Sequence, residues 1–275
     1  MTTTGPAFSR RERSRAATRI EIKQTALDLM REHGSTHVRF TDIARVMGLT
    51  PPALYRYYAD RDELLTEMIT DGYHDLAAAL SAAPGAAGDP TARLQAVGLA
   101  YRAWALEDPQ RFALIFGVPV PGYAAPPEGP TVVAAQRAMA NLAEVVVRAA
   151  ADGTLADPVV TEVGPTVRAE MAERKNTPGY VAAQTPDGSA APWPADQLDL
   201  PAIAPATHQA MLHSWAAMHG FVSLEAYGHL EWFSDQARED LFTALLALAA
   251  VSMGLPKALA GVTVTGPGEP GSRAG

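Results

Sequence analysis

Phe40-Thr41-Asp42-Ile43-Ala44-Arg45-Val46-Met47, then Gly48-Leu49-Thr50, then Pro51-Pro52-Ala53-Leu54-Tyr55-Arg56-Tyr57-Tyr58, is the stretch that decides the fold of this chain. Ile43, Ala44 and Met47 share one face of a short helix over 41–47 that stops at Gly48. Thr50 can cap a second helix whose first position is Pro51, where the missing N–H would have had no helical partner. Leu54 and Tyr58, four residues apart, fall on its inner side. Two short helices joined through Gly48-Leu49-Thr50 make a helix-turn-helix, the arrangement whose second helix enters a DNA major groove. Ile43, Ala44, Leu49, Leu54 and Tyr58 would hold the helices at a fixed angle, with Ala44 small where they approach.

Working outward, the apolar residues Ile22, Ala26, Leu29 and Met30 give 19–33 a helical period, and Gly34 sits where a left-handed cap belongs. On the other side, Asp60 and Glu63 form a capping box, so a helix begins at Arg61 and runs through Leu64, Leu65, Met68, Ile69 and Leu76 toward Pro84. The same reasoning gives helices over 89–107, 109–116, 132–151, 159–175, 206–226 and 234–253. Positions 119–205 hold 13 of the 22 prolines, which makes 119–130 and 176–205 loops. Neither long β-alternation nor an internal repeat is present, so the expected class is all-α. The expected domains are a disordered basic arm over 1–17, a helix-turn-helix domain over 18–66, a helical ligand-binding and dimerisation domain over 67–256 and a disordered tail over 257–275.

Composition narrows the function. A chain of 275 residues with 48% hydrophobic and 19% charged side chains has room for about two packed domains. It lacks cysteine, which removes disulfides, thiol nucleophiles and thiolate metal sites. Arg10, Arg11, Arg13, Arg15 and Arg19 stand where a signal peptide needs an apolar core, and the uncharged run 241–255 is too short to cross a bilayer. The net charge of −8 hides an asymmetry: residues 1–61 carry 11 basic and 6 acidic side chains, whereas 62–275 carry 11 and 24. A basic N-terminal module on an acidic body points to a polyanionic partner. His208, His213, His219 and His229, beside Glu225, lack the four-residue spacing of helical metal sites, and neither metal nor cofactor is expected. The adjacent acids Glu107-Asp108 and Glu239-Asp240 cannot converge on one substrate, so no enzyme is expected either.

Pro51, Pro52 and Ala53 open the second helix of the motif, where side chains meet base edges and an alanine methyl can touch the methyl of thymine. Tyr55, Arg56 and Tyr57 follow, able to reach phosphates or guanine, and Arg61 adds a cation at a helix N-terminus. A bland reading makes them a solvated face; three adjacent aromatic or basic side chains beside the only basic region favour nucleic acid. Together with Arg61-Asp62-Glu63-Leu64-Leu65, the motif resembles the N-terminal domain of the tetracycline-repressor (TetR) family of bacterial transcription regulators over 18–70. That resemblance implies that Pro51, Pro52, Ala53 and Tyr57 reach bases while Tyr55 and Arg61 hold phosphates. Arg39 stands where the family commonly has a Ser or Thr cap, leaving Thr41 as the capper, and Tyr58 replaces the usual Phe.

Trp104, the run Pro109–Phe116, and Trp215, His219 and Gly220 followed by Leu224-Glu225 are similar to the subgroup of that family with a Trp-His-Gly signature. The resemblance implies an effector pocket drawn from Tyr101, Trp104, Phe112, Phe116, Met139, Met171, Trp215 and His219, taking a small, mostly apolar ligand anchored by His219 or Tyr101. The alternative is a core histidine stacked on Trp215, with Gly220 permitting close helix packing. Leu241, Leu245, Leu248 and Ser252 form a stripe, widened by Phe242, Leu246 and Met253, that suits a dimer interface. The expectation is a homodimeric, cytoplasmic, ligand-responsive repressor released from a palindromic double-stranded DNA operator by its effector, with no membrane partner. Its rival is an all-helical small-molecule binding protein or enzyme that leaves the helix-turn-helix unused, and salt-dependent DNA binding separates the two.

Overall fold

The computed structural model describes residues 9–84, 89–117, 120, 122–126, 129–175 and 203–256, and all its regular structure is helical. In order, the helices are α1 (Arg10–His33), α2 (Phe40–Val46), α3 (Pro51–Leu54), α4 (Arg61–Ala82), α5 (Pro90–Glu107), α6 (Pro109–Phe116), α7 (Pro130–Ala151), α8 (Pro165–Lys175), α9 (Pro205–Ala226) and α10 (Asp235–Ser252). The chain divides into two compact units, one of residues 1–75 and 108–135, the other of 76–107 and 136–275.

Several boundaries differ from expectation for identifiable reasons. Residues 10–17, expected in a disordered arm, are the first turns of α1. Ser9 starts them: its hydroxyl accepts from the Glu12 amide at 3.2 Å while its own amide donates to the Glu12 carboxylate at 2.7 Å. α2 begins at the buried Phe40 with Arg39 as an extended cap residue, so Thr41 lies inside the helix and does not cap it. Thr50 makes no side-chain cap to α3. α8 starts at Pro165 and not at 159, because the preceding Gly164 and the ring of Pro165 interrupt any helix running from 159. The expected loop at 176–205 and the tail lie, but for 203–205, outside the described residues, as do residues 1–8 of the arm.

The first unit is built around one apolar cluster. Ile22, Ala26 and Met30 of α1, Ile43 and Ala44 of α2, Leu54 with Tyr58, and Leu64, Leu65 and Met68 of α4 are all buried together. Between α2 and α3 the chain turns through Gly48 at φ 66°, which a side-chain-bearing residue adopts at a cost, and the Leu49 amide closes on the Ala44 carbonyl at 2.8 Å. Arg31 near the end of α1 reaches Asp108, the N-cap of α6, at 2.6 Å, and Asp108 also accepts from the Arg111 amide at 3.1 Å. Burial pushes the Asp108 carboxyl up, but donation from Arg31 and from the Arg111 amide outweighs it and leaves the pKa below the usual value. A carboxyl lowered in the folded state stabilises fully above its unfolded pKa of about 4, and that contribution disappears as pH falls through the folded value. Denaturant titrations between pH 6 and pH 3 are therefore expected to show falling stability. Asp108→Ala should flatten part of that fall and cost about 2 kcal/mol at pH 7 through the lost cap and ion pair.

In the second unit, α5 packs on α10 closely enough that a Cβ at Gly98 would lie 2.4 Å from Leu246 Cδ2. Arg93 donates to the Ala83 carbonyl at 2.6 Å, satisfying the end of α4, and Thr91 donates to the Pro256 carbonyl at 2.5 Å. Phe242, Leu246 and Met253, expected to widen a partner surface, are buried inside their own unit. Leu241 and Leu248 remain 42% and 57% exposed. The amphipathic period placed the apolar residues correctly but could not say which of two adjacent faces α5 and α9 would cover.

Candidate functional site

α3 presents Pro51 and Pro52 to solvent at its first turn and Tyr55 and Arg56 just beyond its last, with Ala53 half-buried. Tyr55 is 57% exposed, whereas Tyr57 is not. The Tyr55 ring packs 5.2 Å from that of Phe40, which fixes its hydroxyl at the edge of the motif. Tyr57 is half-buried against the core, and its backbone carbonyl accepts from the Arg19 guanidinium. Arg61, the first residue of α4, is half-buried; Arg39 and Thr41 are exposed at the start of α2.

The frame behind these residues is ionic. Arg19 pairs with Glu67 at 2.5 Å and Glu63 at 3.3 Å, and Lys23 pairs with Glu67 at 2.7 Å and with Asp71. Asp60 accepts from the Glu63 amide at 2.8 Å, while Glu63 reaches back to the Ala59 amide at 2.6 Å. Desolvation raises the Glu67 carboxyl, but the Lys23 and Arg19 donors win and its pKa lies below the usual range. α1 and α4 are thus clamped behind α3. The hydroxyl that Tyr58 adds finds the Arg19 carbonyl at 3.5 Å, with the Arg19 guanidinium carbon 4.1 Å over its ring. Burial pushes the Tyr58 phenol well above its ordinary pKa.

The eight residues expected to line an effector pocket divide between the two units. Phe112 and Phe116 belong to the first, with rings 5.4 Å apart and Phe116 edge-on to Tyr73 at 5.7 Å. Tyr101, Trp104, Met139, Trp215 and His219 belong to the second; Met171 does too, but its side chain lies outside the described part. There the Tyr101 hydroxyl meets His219 Nδ1 at 2.7 Å, Trp215 stacks on His219 at 5.2 Å, and the Tyr101 and Trp215 rings are 5.3 Å apart. Burial pushes the His219 pKa down, which keeps the ring neutral at pH 7. The two anchors expected to hold a ligand are bonded to each other. Among the described residues, a Cβ at Gly220 would meet no atom within 4 Å. A groove of about 240 Å³ between α9 and α10, lined by Val159, Val160, His213, Ala217, Leu245 and Leu248 among others, includes none of the eight.

Two short helices set at a Gly turn, clamped on a third and joined to a separate helical unit, define a helix-turn-helix protein of the all-α class. Residues 22–68 match the family model for bacterial regulatory proteins of the tetR family, and residues 94–249 match the one for the tetracyclin repressor-like C-terminal domain. The chain belongs to the tetR family. The HTH-type transcriptional regulator Rv1816 of Mycobacterium tuberculosis is 41% identical over 99 residues, which is 35% of this chain and 42% of that protein. The chain therefore spans less than half the length of the curated relatives it matches. The solved structure of SCO4313 is 34% identical, with a TM-score of 0.60 over 88% of this chain and 98% of that one. A tetR-family regulatory protein from Rhodococcus RHA1, at 15% identity, a TM-score of 0.52 and coverage of 87% and 98%, shares the fold.

Arg11 and Arg15 fall in the expected basic arm over 1–17 and Arg19 at the start of the expected helix over 19–33, and the sequence alone does not place the three on one helix face. Their four-residue spacing, and the Ser9-Glu12 capping box ahead of them, were the available signals.

Proposed function

We propose that the chain is a ligand-responsive, homodimeric repressor that binds a palindromic double-stranded DNA operator in the bacterial cytoplasm and leaves it when a small, mostly apolar effector binds the second unit. The observation that carries this reading is the solvent-facing α3, whose Pro51, Pro52, Tyr55 and Arg56 are open to a partner while α1 and α4 fix it from behind. No helix among the described residues is long and apolar enough to cross a membrane. The rival of a binding protein or enzyme that leaves the motif unused is not favoured by the two family models, both of which describe repressor-type regulatory proteins. α4 continues from the first unit into the second, which gives an effector a covalent route to the recognition helix. Binding the DNA-incompetent form about 100-fold more tightly, roughly 2.7 kcal/mol, is enough to release DNA usefully.

The test is retention of fragments from the source genome followed by titration at several salt concentrations. Phosphate contacts make the affinity fall linearly with the logarithm of salt, and binding that ignores salt rejects the reading. Arg61→Ala is expected to weaken binding evenly across sequences and to lower the salt slope by about one per subunit. Ala53 and Tyr57 substitutions should instead change the preferred bases, which selection from a randomised operator pool measures; an unchanged profile would remove both from the base-reading set.

A further inference from the structure

Arg11, Arg15 and Arg19 recur every four residues and so share one face of α1, each step advancing about 6 Å along the axis. Contacts at the inner end show where that face points. Arg19 donates to the Tyr57 carbonyl, and the Arg15 guanidinium carbon lies 5.9 Å from the centre of the Tyr57 ring. The row therefore starts beside the C-terminal end of α3 and climbs outward, with Arg10 and Arg13 on its flanks.

The charges along the row are not equivalent. Arg19 is spent on Glu63 and Glu67, and Lys23, one turn further in, on Glu67 and Asp71. Among the described residues, Arg11 and Arg15 have no carboxylate within ion-pair distance, and the one acid in this stretch, Glu12, is turned back onto Ser9. Residues 10–17 are exposed throughout, so these two turns bury nothing that would repay the entropy of ordering them or the mutual repulsion of four arginines in six residues. Arg11 and Arg15, ordered, exposed and without a carboxylate partner beside a recognition helix, make a surface shaped for an extended anion. Guanidinium groups suit phosphates because they bind them in bidentate fashion.

We propose that the first turns of α1 form a second DNA contact, in which Arg11 and Arg15 hold backbone phosphates flanking the position where α3 enters the groove and carry no sequence information. The proposal rests on the DNA-binding reading above. The step of about 6 Å from Arg15 to Arg11 equals the rise of about two base pairs, so the two guanidinium groups can reach successive phosphates.

The experiment uses the full-length protein and a duplex that the wild type selects from a randomised pool, in a long form and in a form trimmed at both ends to the helix-turn-helix footprint. On the long duplex at 0.1 M salt, R11Q/R15Q is expected to bind about tenfold or more weakly, with a salt slope smaller by about two per subunit and the same preferred sequence. On the trimmed duplex the two proteins should bind alike. R11Q alone, which leaves Tyr57 untouched, should lower the slope by about one per subunit, and R11K/R15K should restore most of it. Wild-type affinity and slope for R11Q/R15Q on the long duplex overturn the proposal while leaving the DNA-binding reading intact. A loss that persists on the trimmed duplex with altered base preference also overturns it, because Arg15 then acts by positioning Tyr57. If the wild type selects no DNA at all, the DNA-binding reading itself fails and this proposal with it.

Discussion

Glu225→Ala is expected to lose about 3–5 kcal/mol of stability, more than any other single substitution in the second unit that removes no apolar core volume. Glu225 lies on α9 with its side chain 4% exposed. It receives Arg102 of α5 as a two-pronged pair, Nε at 2.7 Å and Nη2 at 2.6 Å, and Arg238 of α10 through Nε at 3.0 Å. Arg238 in turn donates to the Phe233 carbonyl at 2.8 Å and the Leu230 carbonyl at 3.3 Å, so one carboxylate organises three helices and the turn between two of them. Donation to Glu225 holds the Arg102 guanidinium above its ordinary pKa, the sign of a charge stabilised where it sits. Without the carboxylate, two mostly buried cations lose their shared buried partner and keep only the exposed Asp235 and Glu239 at 4.0 Å, and this poorly compensated buried charge, not the loss of an attraction, sets the size of the effect. Glu225→Gln should fall between, keeping an acceptor but no charge. Asp235→Ala, which removes an exposed partner of the same Arg238, should change the denaturation midpoint by no more than about 0.5 kcal/mol. A Glu225→Ala protein within 1 kcal/mol of the wild type would show that solvent reaches the pair more freely than the packing indicates.

The contrast between this network and the recognition motif explains what the sequence could and could not disclose. Ile43, Ala44, Gly48, Leu49, Pro51 and Leu54 lie within twelve residues, and their chemistry is local: a helical period, a left-handed glycine and a proline at a first turn. The motif was therefore legible, and so was the all-helical class. The start of α1 was misread because Arg10 to Ala17 have no apolar period to detect, and the signals left were the arginine spacing and Ser9 opposite Glu12. Thr41 was misassigned as a cap because burial of Phe40, a tertiary fact, sets where α2 begins and leaves Arg39 at the cap position. Arg102, Glu225 and Arg238 are separated by up to 136 positions, and no periodicity joins them. The same holds for Tyr101 and His219: each was recognisable as a polar group in an apolar setting, but not that they would satisfy each other. Nor could the sequence say that Phe112 and Phe116 fall in the first unit, since a helix as short as α6 can side with either, and the Arg31 to Asp108 pair ties it to the first.

Leu248→Glu is expected to leave the subunit folded, to turn the dimer into a monomer at micromolar concentration and to weaken operator binding by about 100-fold or more. Leu248 is 57% exposed and Leu241 42%, and with Leu245 they follow one line along α10, so a charge there costs the isolated subunit little. Val160, 52% exposed, lines the same groove as Leu245 and Leu248, and Leu212 of α9 is 51% exposed. In a two-fold interface each residue appears twice, so one substitution removes two leucines, worth about 1.5–3 kcal/mol each when fully buried, and places two carboxylates in a dry contact. A loss of about 4 kcal/mol already weakens a nanomolar dimer to micromolar affinity, so this sum is enough to leave mostly monomer at micromolar concentration. The loss of DNA affinity follows from geometry. One recognition helix reads one half-site, and the second half-site is engaged at the high effective concentration that only a joined partner provides. Sedimentation and DNA titration on the same preparation check both parts, with unchanged far-ultraviolet circular dichroism as the control for folding. A Leu248→Glu protein that stays dimeric and binds its operator at wild-type strength would move the interface off the α9 and α10 face. If it becomes monomeric yet binds undiminished, the half-sites act independently, and the palindromic operator is lost with them.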